Sequence, residues 1–122
     1  MKLRARGNSI RLRLLRGEVA RLGETGKISE TINFGSSQSL TYTIEISNAN
    51  EIVARFESNE IIVSLPDEIA LDWVENNEVG LSAKQKIDNE TVLELLIEKD
   101  FVCVQRPDDV DNKDAFENTN YC

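Results

Sequence analysis

The stretch Lys2-Leu3-Arg4-Ala5-Arg6-Gly7-Asn8-Ser9-Ile10-Arg11-Leu12-Arg13-Leu14 decides how the rest of the chain is read. Polar and apolar residues alternate on both sides of Gly7-Asn8-Ser9, with the period of two that marks a strand with one wet face. Gly and Asn tolerate positive φ, so Arg6-Gly7-Asn8-Ser9 predicts a two-residue hairpin turn with Gly in the first central position. That register sets Arg6 opposite Ser9, Arg4 opposite Arg11 and Lys2 opposite Arg13, all on one side. Leu3, Ala5, Ile10, Leu12 and Leu14 form the apolar side. Like charges directly across a strand pair destabilise it, so the ribbon needs oxyanions over its charged side.

Charge is distributed unevenly along the chain. Seven of the 14 basic residues (Lys2, Arg4, Arg6, Arg11, Arg13, Arg16 and Arg21) fall within the first 21 positions, with Glu18 the only acid among them. The whole chain nevertheless carries a net charge of −8 and a pI near 4.6. That acidity opposes non-specific binding to nucleic acid or an anionic membrane. Aromatic residues do not interleave with the basic stretch, as they would on a single-strand nucleic-acid surface.

Downstream, Leu15, Val19 and Leu22 recur at helical spacing and Gly23 is a natural stop, so a short helix follows the hairpin. Thr31–Phe34 reads as a strand, leading through a Gly-Ser-Ser-Gln-Ser turn to Leu40, Tyr42, Ile44 and Ile46, which alternate with polar neighbours. Ile52–Glu57 and Ile61–Leu65 form a further hairpin around Ser58-Asn59. Pro66, Asp67 and Glu68 open a second helix, with Ile69, Ala70, Trp73 and Val74 as its buried stripe and Asn76-Asn77 as its end. Val79–Ile87 alternates again before a turn at Asp88-Asn89. Residues 91–104 carry two patterns: Thr91 with Glu94 suits a capping box, while Phe101, Val102 and Val104 extend a β-favouring run. The strand is preferred. No internal repeat is legible.

These elements predict an α+β domain: a mainly antiparallel sheet or partly open barrel of about six to eight strands, with two short helices. Residues 1–104 form the single domain. Residues 105–122 form an acidic, irregular tail with Asp108, Asp109, Asp111, Asp114 and Glu117 against Arg106 and Lys113. No run approaches the ~18 apolar residues of a membrane span, and no secretory signal is legible, which places the protein in the cytoplasm.

The chain contains no histidine. That removes Ser-His-Asp and Cys-His catalysis and His-ligated zinc. A calcium loop starting at Asp109 fails because Lys113 and Asp114 occupy a ligand position and the required glycine position. Cys103 and Cys122 lack the Cys-x-x-Cys spacing of a zinc site and read as ordinary thiols. No phosphate-cradling glycine motif is present. No cofactor, metal or catalytic residue is therefore expected. Trp73, Phe56, Phe34 and Tyr42 read as core or sheet-face aromatics.

The opening Lys2–Leu14 and the later Glu98-Lys99-Asp100-Phe101 resemble a family of short uncharacterised bacterial proteins, along most of the chain, including the cysteine followed by an acidic tail. The resemblance implies a free-standing bacterial protein and no assigned activity. Where that family carries Phe-Pro-Asn, this chain has Phe116-Glu117-Asn118.

The arginine face is what remains. Arg4, Arg6, Arg11 and Arg13 either dock the acidic tail and carboxylates such as Glu45, Glu57 and Glu60, or bind an external anion, a small molecule or an acidic protein segment. Both hold together if the tail is a displaceable lid. The expected role is a non-enzymatic interaction module. The alternative is an enzyme on a phosphorylated small molecule, with the arginines as clamp and Glu45 as base or metal ligand.

Overall fold

The computed structural model describes residues 1–101. Its eight strands and two helices follow chain order: β1 (Lys2–Arg6), β2 (Ser9–Leu14), α1 (Arg16–Thr25), β3 (Lys27–Gly35), β4 (Gln38–Ser47), β5 (Val53–Glu57), β6 (Glu60–Pro66), α2 (Asp67–Glu75), β7 (Gly80–Lys86) and β8 (Val92–Lys99). The α+β expectation holds, and residues 92–99 are a strand. The opening hairpin has the expected register, with Lys2 opposite Arg13, Arg4 opposite Arg11 and Arg6 opposite Ser9. Gly7 takes φ 54°, the left-handed value that a turn with Gly first requires.

The strands form two open four-stranded sheets, ordered β1-β2-β8-β7 and β3-β4-β6-β5. Each sheet is two antiparallel hairpins joined by a central parallel pair, β2 with β8 and β4 with β6. The sheets are therefore mixed, not antiparallel throughout, and no barrel closes. Hairpins form from local alternation and turn chemistry, whereas a parallel pair joins strands distant in sequence and leaves no local mark.

A repeat underlies this arrangement, contrary to the sequence reading. Hairpin, helix and hairpin occur twice, and each half gives one hairpin to each sheet. Ser9 opens the β2–β8 register against Glu94 as Glu60 opens the β6–β4 register against Thr41. The flanking hydrogen bonds repeat too. Glu94 N–H donates to Asn8 C=O at 3.0 Å and Thr41 N–H to Asn59 C=O at 3.1 Å; Lys99 N–H donates to Val79 C=O and Ile46 N–H to Gly26 C=O, both at 2.8 Å. Aligned in this way, Arg4 matches Arg55, Asn8 matches Asn59, Leu14 matches Leu65, and Glu45 matches Glu98. Most other pairs differ, which hides the repeat.

One core cluster joins both sheets and both helices: Leu12, Leu14 and Ile97 from the first sheet, Ile28, Tyr42, Ile44, Val63 and Leu65 from the second, and Val19, Leu22, Ala70 and Trp73 from the helices. In α1 the chain runs past Gly23 and stops at Gly26, whose φ of 80° supplies the left-handed C-cap and whose N–H bonds Leu22 C=O at 2.8 Å. Leu15 is the N-cap and lies exposed. Its N–H donates to the Glu18 carboxylate at 2.8 Å. In α2, Ala70 and Trp73 are buried as expected, but Ile69 faces solvent. Trp73 and Tyr42 are core, whereas Phe34 and Phe56 are each 66% exposed. Phe34 lies at a register shift between Asn33 and Gly35, and Phe56 sits on the edge strand β5 beside its turn.

Side chains tie the sheets together at their margins. The Gln85 amide on β7 accepts from Ala54 N–H at 2.7 Å and donates to Ala54 C=O at 3.0 Å, standing in for a neighbouring strand of β5. At the other margin the Met1 α-amino group meets the carboxylates of Glu18 and Glu30, and Tyr42 Oη donates to Met1 C=O at 3.1 Å.

The helices cross where Gly23 faces Val74, its own counterpart in the repeat. A Cβ at Gly23 would lie 2.9 Å from Val74 Cγ1. Gly23→Ala is expected to lose about 1–3 kcal/mol to overpacking, offset in part by better helix propensity. Denaturant unfolding of Gly23→Ala and of Gly23→Ala with Val74→Ala checks this, the second change recovering much of the loss.

Candidate functional site

Alternation along the strands sorts the first sheet into two faces. Leu12, Leu14, Leu95 and Ile97 point into the core. Lys2, Arg4, Arg6, Ser9, Arg11 and Arg13 point the other way, joined by Ser82, Lys84 and Lys86 of β7 and Glu94, Leu96 and Glu98 of β8. They form cross-strand rows: Arg6, Ser9, Glu94 and Lys84; Arg4, Arg11, Leu96 and Ser82; Lys2, Arg13, Glu98 and Gly80. Among the described residues, these strand positions carry seven cations and two carboxylates. The arginines singled out in the sequence stand together, and Lys84 and Lys86 join them. Sequence reasoning missed those two lysines because β7 reaches this sheet only through its pairing with β8.

Among the described residues, the carboxylate that meets Arg11 and Arg13 is Glu98 rather than Glu45, Glu57 or Glu60. Glu98 lies between two guanidinium groups, 3.0 Å from Arg11 Nε and 3.7 Å from Arg13 Nε. Its contact with Arg11 is close but poorly aligned, so Arg11 Nε and Glu98 Oε1 form an ion pair without a hydrogen bond. Lys2 Nζ pairs with Asp100 at 2.7 Å. Arg4 and Arg6 are engaged as well. Glu98 is thus shared by arginines of two neighbouring rows. Beside it, Ser82, Lys84, Glu94 and Leu96 line a shallow depression of about 420 Å³.

Glu45, Glu57 and Glu60 belong to the other sheet. Glu45 accepts from Ser64 Oγ at 2.8 Å and from Arg55 Nη1 at 3.1 Å, and Arg55 Nε also donates to Glu57 at 3.1 Å. Glu60 accepts from Thr43 Oγ1 at 2.5 Å, and Thr43 Oγ1 in turn accepts from the Ser29 hydroxyl at 3.0 Å. An arginine clamp working with Glu45 therefore finds no common concavity. The two outer faces occupy equivalent places in the repeat but are chemically opposite. Glu45 and Glu98 correspond, yet Arg11 and Arg13 of one face match Ile62 and Ser64 of the other. The second face is hydroxyl-rich and satisfies itself, with Lys27 and Arg55 against three glutamates.

Among the described residues no group of three or more His, Cys, Asp or Glu side chains is placed to hold a metal ion, and no helix is long and apolar enough to cross a membrane. Cys103, Cys122, the Asp109 loop and the 105–122 tail lie outside the described residues.

The Ser64 hydrogen bond, reinforced by Arg55 and opposed by partial burial, holds the Glu45 carboxyl below its ordinary value of 4.5. A depressed carboxyl contributes stability above the unfolded value and loses it as pH falls through the folded one. Glu45→Gln is expected to cost about 1 kcal/mol near neutrality and to unfold with a shallower acid dependence. Thermal melting from pH 7 to pH 3 measures both.

No curated protein and no solved structure matches the chain. A family model described as a family of unknown function (DUF7009) matches residues 1–120, and the chain belongs to that family.

Proposed function

We propose that this chain is a non-enzymatic interaction module whose outward β1-β2-β8-β7 face recognises an oxyanion-bearing partner through Arg4, Arg6, Arg11 and Arg13. The observation that supports the reading is the charge of the described face: Lys2, four arginines, Lys84 and Lys86 share it with Glu94, Glu98 and the Asp100 carboxylate that pairs with Lys2. Arginine forks suit carboxylate and phosphate oxygens bidentately, and neighbouring rows place them at strand spacing rather than in a deep pocket. A flat, rigid, multi-point cationic surface favours association over chemistry. The depression over Leu96, beside Arg11, gives such a partner an apolar foothold within the charged field.

Calorimetric titration with inorganic pyrophosphate and with a hexa-aspartate peptide at low ionic strength tests this. Arg11→Gln and Arg13→Gln are each expected to weaken binding about fivefold, near 1 kcal/mol per partly exposed charge. Glu98→Gln removes the competing carboxylate and tightens binding by a similar factor. Arg55→Gln, on the opposite sheet, leaves it unchanged. Equal affinity in the Arg11, Arg13 and Arg55 variants would reject the assignment.

A further inference from the structure

We infer that β1 is a docking edge: an extended peptide of another protein, with acidic and apolar residues in alternation, adds antiparallel to it as a further strand of the cationic sheet. The inference rests on the anion-recognition reading above and names its class of partner.

The repeat singles this edge out. β1 and β5 are the outer strands of equivalent hairpins, closed by Arg6 with Ser9 and by Glu57 with Glu60. In a two-residue hairpin the closing pair bonds across the strands, and bonded pairs then alternate with unbonded ones. Ala54 accordingly turns its N–H and C=O away from β6, where the Gln85 amide meets both. Leu3 is the match of Ala54, and Leu3 and Ala5 turn their N–H and C=O away from β2 in the same way. The match of Gln85 is Ile32, opposite Leu40 as Gln85 is opposite Leu93. Isoleucine has no amide to offer, so the cap on one edge is missing from the other. Among the described residues nothing bonds the outward groups of Leu3 or Ala5. Of the remaining edge strands, β3 carries a register shift between Asn33 and Gly35, and β7 supplies the Gln85 cap.

Side chains define what the edge accepts. Lys2, Arg4 and Arg6 lie on the outward face; Leu3 and Ala5 lie on the core side, half-buried and exposed respectively. Residues directly opposite one another across a strand pair share a face. The added strand therefore sets acids beside Lys2, Arg4 and Arg6 and small apolar side chains beside Leu3 and Ala5. Arg4 and Arg6 are already engaged, but a guanidinium has several N–H donors and takes a further carboxylate. The same cations discourage a second copy, since two β1 edges would set them against one another. Main-chain bonds then give affinity and alternate side chains give specificity.

The full chain is titrated with an alternating glutamate–valine heptapeptide at low ionic strength. The Leu3 and Ala5 amides are expected to exchange at least tenfold more slowly in the complex. Methylating the valine nitrogens, which face β1 in this register, abolishes that protection without any change to the protein. Ala5→Pro removes an outward N–H where an edge strand tolerates proline. It weakens the peptide about tenfold and leaves pyrophosphate affinity unchanged, whereas Phe56→Pro, the equivalent change on β5, alters neither. Replacing the peptide's glutamates by glutamine weakens binding about tenfold. No slowing at Leu3 and Ala5, or full affinity of the methylated peptide, overturns strand addition even where pyrophosphate still binds. Equal affinity for the glutamine peptide overturns the acidic partner. Protection of both amides without pyrophosphate binding overturns the wider anion reading and leaves the docking edge in place.

Discussion

Two parallel strand pairs hold this molecule together. Without β2 against β8 and β4 against β6, the chain would be four hairpins, and an isolated hairpin is marginally stable at best in water. Each of these pairs joins a strand from the first half of the repeat to one from the second. Neither half can complete a sheet by itself. The shared core of Leu12, Leu14, Ile44, Ile97, Val63, Leu65 and Trp73 follows from that exchange, since both halves supply both walls.

The symmetry of the scaffold makes the asymmetry of its surfaces informative. Equivalent backbone positions carry Glu45 and Glu98, and Arg4 and Arg55, yet their surroundings diverge. On one face Ser64, Thr43 and Ser29 close a neutral hydrogen-bonded network around the glutamates. On the other, Arg11 and Arg13 stand where Ile62 and Ser64 would be, and both lie against Glu98. Nothing about folding the sheet demands that second arrangement, because the first shows a stable way to finish the same surface.

Hairpins were the legible part of this sequence. Alternation around Gly7-Asn8 set the register of β1 and β2 residue for residue, and Ser58-Asn59 marked the second turn, where both residues adopt positive φ as the turn requires. The arginine face followed directly. What could not be read was anything depending on distant pairing: the mixed sheets, the lysines that β7 adds to the arginines, and the separation of Glu45, Glu57 and Glu60 onto another sheet. The repeat escaped because matching core positions keep apolar character rather than identity or size, as with Leu22 and Trp73, and because α2 is followed by a longer connection than α1. Gly23 misled for a related reason. Its role is to let the helices approach, and the helix ends three residues later at Gly26.

The central pairs also differ in how far they reach along the chain. Ser9 and Glu94 are 85 residues apart, Thr41 and Glu60 only 19. Closing the longer loop costs about 1.3 kcal/mol more in chain entropy on the logarithmic scaling. During synthesis β2 emerges long before β8 exists to receive it, which favours earlier assembly of the β3-β4-β6-β5 sheet. In that interval the unpaired edge of β2 is flanked by Arg11 and Arg13. Their mutual repulsion guards the nascent strand against pairing with another copy of itself.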